Sequence, residues 1–414
     1  MNYTRLVPKD SFLGRYLRYM DNQETAHAYD FWCGLWCIST ACGRFVVVDR
    51  PRAPIYLNVF LVLVGESGVA RKTTSVVVAT NCVRRVMAHN QLGHVHTKAT
   101  PERLDEILME RTLNHGFAHL VITCPELAVI LGAESYTATM PILLTDLYDC
   151  PSQRIGGGTI SRGAVLQERV WVNLLSASTP VWLLKSVNPN VIEGGFTSRT
   201  YFIVANEPKR KIPWPENSDP LLFTDMQDDL LIIANEARTR QRITLSATGM
   251  SRFSEWYQNK PRSLDQFKQS FEAREDAHVL RIAALLCIND GSWVIKRSHI
   301  NVAIKLIIGV KEQSNVIFET AEVRTKFATG LDILRAQLVT AGMDPVLRSQ
   351  LFNRLRHHLS YQEFSTLVEI LHEIRAIQRF EVRTGERGRP AEWIRGTNLL
   401  LARGLGENVL ERLV

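Results

Sequence analysis

The chain has 414 residues and a formal net charge of +7, and 45% of its residues are apolar and 22% charged. These values are ordinary for a globular protein of two to four domains, and the mild positive charge is compatible with a polyanionic partner. The longest apolar run, residues 59–64, is far too short to span a bilayer, and the first residues show no secretory signal, so we expect a cytoplasmic protein with no membrane partner.

The first 215 residues are predicted to form a helical region, 1–54, followed by an α/β core, 55–215. Apolar and aromatic side chains recur at helical spacing through 11–44, and apolar strands then alternate with helices. The predicted strands are 58–64, 119–123, 169–175 and 200–204, and the predicted helices between them are 72–87, 101–113, one through 130, and 140–148. Continuously apolar strands separated by helices are typical of a buried parallel sheet.

The pattern changes after the prolines at 213 and 215. Residues 216–325 are predicted to form a helical lid domain, because helical periodicity runs through most of them. In the last unit, 326–414, helical segments 346–357 and 361–374 precede two short strands, 379–383 and 392–394. Helix, turn, helix and a two-stranded ribbon with a basic, glycine-containing tip are the pattern of a winged helix.

A glycine-bearing loop joins the strand 58–64 to the helix that follows. A phosphate-binding loop needs inward backbone N–H groups, a lysine for the phosphates, a hydroxyl for Mg²⁺ and a helix N-terminus whose dipole favours the anion. This loop has each of these features, so we predict that it binds ATP with Mg²⁺. The candidate residues are Gly65, Ser67, Gly68, Ala70, Arg71, Lys72, Thr73 and Thr74, with Thr73 as the magnesium ligand.

The spacing of this loop departs from G-x-x-x-x-G-K-[ST], because Gly65 precedes Lys72 by seven positions rather than six. One register keeps Lys72 and Thr73 as the lysine–hydroxyl pair and lengthens the loop by one residue. The other register puts Arg71 in the lysine position and loses the metal ligand. We favour the first because it alone retains magnesium chemistry. A glycine turn between a strand and a basic helix is the structural alternative.

An acidic residue that follows a second apolar strand is the other half of such a site. Glu126 follows the run 120–124 and is the candidate that activates the attacking water, although Pro125 stands where a metal-coordinating Asp usually precedes it. The alternative for Glu126 is a carboxylate that only stabilises a helix N-terminus.

A series of short motifs lies in a fixed order along residues 10–310. The motifs are Gly43-Arg44, Tyr56-Leu57-Asn58, the Ser-Gly and Arg-Lys-Thr of the loop, Glu126-Leu127, Leu147-Tyr148-Asp149, Ala177-Ser178-Thr179-Pro180 and Gly194 to Arg199. In this order they resemble the AAA+-like helicase ATPases of bacteriophages, plasmids and integrative mobile elements, distant relatives of superfamily 3 and MCM helicases. The loop of this chain is one residue longer than in most members.

The resemblance implies further site residues and an assembly. Thr179 corresponds to the sensor-1 residue that contacts the γ-phosphate or water, Arg274 to a sensor-2 arginine, and Arg199 to an arginine finger that acts on a neighbouring subunit's nucleotide. A strand end or structural ion pairs are the alternatives for these residues. A finger that acts in trans implies a homo-oligomeric ring or spiral with a head-to-tail interface.

Two segments are candidates for nucleic-acid contact. The glycine-rich segment 154–163 suggests a hairpin, and the resemblance implies that a hairpin here projects into the pore, which makes Arg154 and Arg162 candidate phosphate contacts. Arg387 and Arg389 lie in the predicted wing and are the second pair of candidates. A plain surface hairpin and a protein-binding winged helix are the alternatives.

The expected function is therefore that of an oligomeric, ATP-dependent DNA translocase or helicase in the replication of a mobile element. The first alternative is an ATP-switched assembly factor or helicase loader that hydrolyses ATP slowly, as the long loop and the missing Asp would allow. The second is a non-enzymatic DNA-binding regulator whose working part is the winged helix.

Overall fold

A computed structural model describes the chain apart from residues 1, 52, 97, 132–138, 157–164, 187–194, 215–218, 262–265, 343, 383–390, 402–408 and 410–414. The chain divides into two compact units, Met1–Asn315 and Val316–Val414.

Strands and helices alternate through the first unit. Its described strands are β1 (Val47–Val48), β2 (Ile55–Tyr56), β3 (Phe60–Val64), β4 (Gly93–Val95), β5 (His119–Cys124), β6 (Gln153–Gly156), β7 (Val165–Glu168), β8 (Trp171–Ser178), β9 (Thr200–Val204), β10 (Arg242–Leu245) and β11 (Val294–Ile295). Its helices are α1 (Phe12–Met20), α2 (His27–Cys42), α3 (Lys72–Cys82), α4 (Arg84–His89), α5 (Pro101–His115), α6 (Leu127–Leu131), α7 (Met140–Tyr148), α8 (Pro180–Ser186), α9 (Pro220–Arg240), α10 (Ala247–Asn259), α11 (Gln266–Glu272) and α12 (Glu275–Asn289), and α13 (Arg297–Ala341) starts there.

A five-stranded sheet of order β4–β5–β8–β3–β9 forms the centre of this unit, and every pairing in it is parallel. This confirms the predicted α/β core with a parallel sheet. The four predicted strands are β3, β5, β8 and β9, and β8 extends to Ser178 because it stays paired with its neighbours through three small residues. The edge strand β4 was not predicted, since three residues that include a glycine carry no alternation signal.

The strand order changes direction at β3. The connection after β3 runs through α3 and α4 to the far edge strand β4, whereas the connection after its neighbour β8 runs the opposite way to β9. Because crossover connections are right-handed, these two connections lie on opposite faces of the sheet, and the carboxyl ends of β3 and β8 are its topological switch point. Open α/β sheets bind their ligands at such a switch point.

Helix α2 lies in the core of the unit rather than on its surface. Every residue from Tyr29 to Cys42 is buried, and the helix packs on α1, α3, α9, α12 and the sheet. A helix that is apolar on all sides is stable only when protein surrounds it. The helices of the predicted N-terminal region therefore share one hydrophobic core with the sheet. The predicted helix 72–87 is observed as two helices, α3 and α4, which are separated at Val83.

Smaller sheets flank this core. Strands β11, β10, β1 and β2 form a four-stranded sheet in that order, and β6 pairs antiparallel with β7 as a hairpin. The hairpin agrees with the glycine-rich pattern at 154–163, although its tip lies outside the described residues.

A buried ion pair joins α2 to the segment after β9. The Lys209 Nζ donates to Asp30 Oδ2 at 2.7 Å, Thr25 donates to the same oxygen at 2.9 Å, and Ser75 of α3 donates to Oδ1 at 3.4 Å. Burial raises the pKa of Asp30 to about 6, against the lowering effect of Lys209. Because the pKa of Asp30 in the folded state is above its value in the unfolded state, Asp30 adds most to the free energy of unfolding at pH below the unfolded pKa. That contribution is lost as pH rises through about 6.

Lys209→Met is expected to lower the free energy of unfolding by about 3–5 kcal/mol at pH 8, because it leaves a buried carboxylate without its cation. The loss should shrink at pH 5, where the more basic Asp30 of this variant is protonated. Urea unfolding at the two pH values measures both effects. The double variant Asp30→Asn/Lys209→Met should recover most of the loss, and equal losses at both pH values would contradict the assignment.

The second unit combines the C-terminal part of α13 with α14 (Arg348–Leu355) and α15 (Tyr361–Glu373) and three strands. The strands β12 (Val346–Leu347), β13 (Ile377–Val382) and β14 (Ala391–Gly396) form an antiparallel sheet of order β12–β14–β13. Ser360 and Glu363 make a capping box that starts α15. The predicted order of two helices and two strands is observed, and β12 is an additional strand at residues that were predicted to start a helix.

Candidate functional site

The loop between β3 and α3 encloses the side chain of Lys72. Its Nζ donates to Gly65 O at 2.6 Å and to Glu66 O at 2.9 Å, and the residue is 8% exposed. Burial lowers the pKa of Lys72, while the charges of Glu126 and Glu66 act in the opposite direction. The ammonium group is thus held inside a turn of the backbone at the N-terminal end of α3.

Arg71 and Lys72 point in different directions. Arg71 adopts a left-handed conformation with φ of 47° as the N-cap of α3, and its guanidinium pairs with Glu24 at 3.1 Å on the surface. Lys72 is the residue that lies inside the loop. Of the two predicted registers, this geometry favours the one that uses Lys72, with Thr73 exposed in the first turn of α3 and Thr74 half-buried behind it.

The base of the loop is packed tightly against β9 and α2. A Cβ atom on Gly65 would lie 2.5 Å from both Ala205 O and the Tyr29 hydroxyl, so only glycine fits there. The Tyr29 hydroxyl donates to Val64 O at 2.6 Å and also lies 3.1 Å from Ala205 O. Gly68, at the tip, has a φ of 75° and is exposed, as are Ser67 and Val69, whereas Ala70 is buried.

The residues predicted to complete the site follow the neighbouring strands. Glu126 is exposed two residues after β5, and its charge acts on Lys72. Thr179 follows β8 directly, and its Oγ1 accepts from Trp182 N at 3.3 Å, so it also caps α8. The Gly65 N–H donates to Ser178 O at 3.3 Å and ties the loop to the end of β8. The structure therefore brings Lys72, Glu126 and Thr179 to one edge of the sheet.

Arg199 and Arg274 lie near the amino-terminal ends of the parallel strands, opposite to the end that carries Lys72. Arg199 directly precedes β9, whose first residue pairs with the first residue of β3. The Arg199 Nη2 donates to Asp149 Oδ2 at 2.8 Å, and the Arg274 Nη1 donates to Oδ1 of the same carboxylate at 3.3 Å. At 3.3 Å per strand residue, this end of the strands is roughly 15–20 Å from the loop after β3. Within one chain, Arg274 is therefore not placed to contact a ligand on Lys72, and its role as a sensor-2 arginine stays a prediction.

Further basic groups surround Asp149 in a cavity of about 220 Å³. Arg281 is buried, donates to Tyr56 O at 2.9 Å and stacks on the Tyr148 ring at 4.9 Å. Burial and the nearby arginines lower the pKa of His278 to about 3, so it is neutral. Asp149 belongs to the Leu-Tyr-Asp motif of the sequence, whereas Arg281 was not among the predicted site residues.

Of the four predicted nucleic-acid contacts, Arg154 lies within the described residues. The Arg154 guanidinium donates to Asp105 at 2.5 Å and to Gln167 at 2.9 Å and also pairs with Asp146, and its side chain is 14% exposed. Its charge is thus paired within the chain, and its contact with nucleic-acid phosphates stays a prediction. Arg162, Arg387 and Arg389 lie outside the described residues.

Comparison with models of known protein families gave no match, and comparison with curated proteins gave none either. In the described part of the chain, no helix is long and apolar enough to cross a membrane. The same residues contain no group of three or more His, Cys, Asp and Glu side chains that is arranged to hold a metal ion.

Proposed function

We propose that the chain is an ATPase of the AAA+-like helicase type, which assembles as a homo-oligomer and translocates on or remodels DNA. The observation that carries the proposal is the position of the Lys72 ammonium. It is enclosed by the loop after β3, at the switch point of a parallel sheet and within the field of Glu126.

Each residue of this edge has a defined task in phosphoryl transfer. Lys72 exchanges its two backbone acceptors, Gly65 O and Glu66 O, for phosphate oxygens, and the first turn of α3 adds its dipole. Thr73 presents an exposed hydroxyl, which fits a Mg²⁺ ion that takes its remaining ligands from phosphates and water. That ion would offset phosphate charge. Glu126 orients the attacking water and accepts a proton from it, and Thr179 contacts the γ-phosphate.

The opposite edge supplies what one chain lacks. Arg199 and Arg274 share the Asp149 carboxylate and are too far from Lys72 to act on the same chain's phosphates. In a head-to-tail assembly, this edge of one subunit faces the phosphate loop of the next, and both guanidinium groups stabilise the charge of the transition state there.

Contact with DNA is assigned to the second unit and to the tip of the β6–β7 hairpin. The helices α14 and α15, followed by β13 and β14, have the order of a winged helix, and the chain as a whole carries a charge of +7. The alternative with specific support is an ATP-switched assembly factor that hydrolyses slowly, because Arg71 takes a left-handed conformation that L-residues seldom adopt in a loop of unusual length.

The test is the ATPase rate with and without single-stranded and duplex DNA. Glu126→Gln is expected to lower turnover at least about 10²-fold and to leave ATP binding intact, because it removes the base but not the phosphate contacts. Glu102→Gln is the matched control, since Glu102 and Glu126 are both exposed carboxylates at the N-terminal end of a helix. ATP binding without appreciable turnover in the wild type favours the assembly factor, and an absence of ATP binding contradicts both.

A further inference from the structure

A cavity of about 490 Å³ opens where the α1–α2 connection meets the segment after β9. Its walls include Arg18, Asp21 and Asn22 on one side and Arg210, Lys211 and Trp214 on the other. We call it the base cleft. Its volume is within the range of small-molecule sites in proteins.

The base cleft adjoins the phosphate loop through one side chain. Glu24 Oε2 accepts from Arg71 Nη2 at 3.1 Å, and Glu24 Oε1 accepts from the N–H of Ile212, a cleft residue, at 3.4 Å. A single carboxylate thus links the wall of the cleft to the side chain of Arg71, the residue that precedes Lys72.

The chemistry of the cleft suits a nucleoside. The Trp214 side chain is 89% exposed, so its indole face is open, and bases stack on such faces. Arg18, Arg210 and Lys211 are exposed cations beside it, and Arg210 also donates to Asp21 O. Trp214 lines a cavity that holds these three cations and two carboxylates, Asp21 and Asp219, and that shares Glu24 with the loop through Ile212.

We propose that the base cleft holds the purine base and ribose of the nucleoside triphosphate, with the base stacked on Trp214 and the cations of the cleft against the α-phosphate. This inference rests on the proposed function of the Lys72 loop. It adds that the affinity for ATP is divided between two places. The loop binds the phosphates, and the connection between α1 and α2, together with Trp214, binds the nucleoside.

The test compares ATP with inorganic tripolyphosphate by titration calorimetry. Trp214→Ala should weaken ATP binding about 10-fold and leave tripolyphosphate binding unchanged, because stacking is lost and the phosphate contacts remain. Trp214→Phe should retain most of the affinity for ATP. Leu221→Ala, which removes a nearby side chain that is 77% exposed, is the matched control and should bind both ligands as the wild type does.

The two proposals fail in different ways. If wild type does not bind tripolyphosphate, or if Lys72→Ala binds it equally well, the function proposed for the loop is wrong. If wild type prefers ATP to tripolyphosphate and Trp214→Ala keeps that preference, the loop proposal survives and the base cleft is wrong. A Trp214→Ala variant that loses affinity for oligo-dT instead of ATP also overturns the cleft proposal and assigns this surface to single-stranded DNA.

Discussion

Lys72→Ala is expected to lower ATP turnover about 10³-fold and to weaken tripolyphosphate binding, because no other cation is enclosed by the described part of the loop. Arg71→Ala should cost far less, since it removes only an exposed ion pair with Glu24. Steady-state ATPase rates and calorimetric titration of the two variants measure the difference. The comparison decides between the two registers of the long loop.

The control for these variants is Arg85→Ala, which removes another exposed ion pair, with Asp228, away from the loop. Its ATPase rate should match that of the wild type. Circular dichroism should show that Lys72→Ala folds, because the lysine contributes only two hydrogen bonds to the loop. A larger loss in Arg71→Ala than in Lys72→Ala would reverse the assignment and remove Thr73 from the magnesium site.

Arg199→Ala is expected to lower turnover about 10³-fold or more, as the loss of an arginine finger does in known phosphoryl-transfer enzymes. Because Arg199 and Lys72 lie at opposite edges of the sheet, the two residues act at one site only when two subunits meet. Co-expression of Lys72→Ala with Arg199→Ala should therefore restore activity, up to about a quarter of the wild-type rate for random head-to-tail assembly. ATPase assays on the co-purified subunits measure this recovery.

Co-expression of Lys72→Ala with Glu126→Gln is the control for that experiment. Both residues follow strands at the same end of the sheet, so each site takes both from one subunit. An intact site can therefore form only in a subunit in which neither residue is changed, and this mixture contains no such subunit. This pair should recover no activity. The trans assignment is wrong if the Lys72→Ala and Arg199→Ala pair also recovers none, or if Arg199→Ala alone hydrolyses ATP at the wild-type rate.

The elements with the strongest patterns were predicted well from the sequence. The helix over 140–148 and the strand over 200–204 are observed with those bounds, because long apolar runs and clear turn residues define them. The grouping of Lys72, Glu126 and Thr179 also follows from the pattern alone. Each of the three follows a buried strand, and parallel strands end at one edge of the sheet.

Contacts that depend on distant parts of the chain could not be predicted in this way. Arg154 and Asp105 are 49 residues apart, and nothing in the local sequence indicates that Asp105 is buried and needs a cation. The same holds for Arg199 and Arg274, which are brought together by Asp149 at the end of α7. A motif identifies the residue type at a position, whereas its partner is set by tertiary packing.

The two glycines of the loop between β3 and α3 are constrained by different physical effects. Gly65 is constrained by steric contact, because a Cβ atom there would lie 2.5 Å from Ala205 O, directly after β9, and from the Tyr29 hydroxyl of α2. Gly68 is fixed only by its backbone angle, since a Cβ there would meet nothing within 4 Å and its φ is 75°. Asparagine and aspartate tolerate that conformation. Natural variation among related proteins should therefore be absent at position 65, whereas position 68 can drift to Asn or Asp without any change in the surrounding chain.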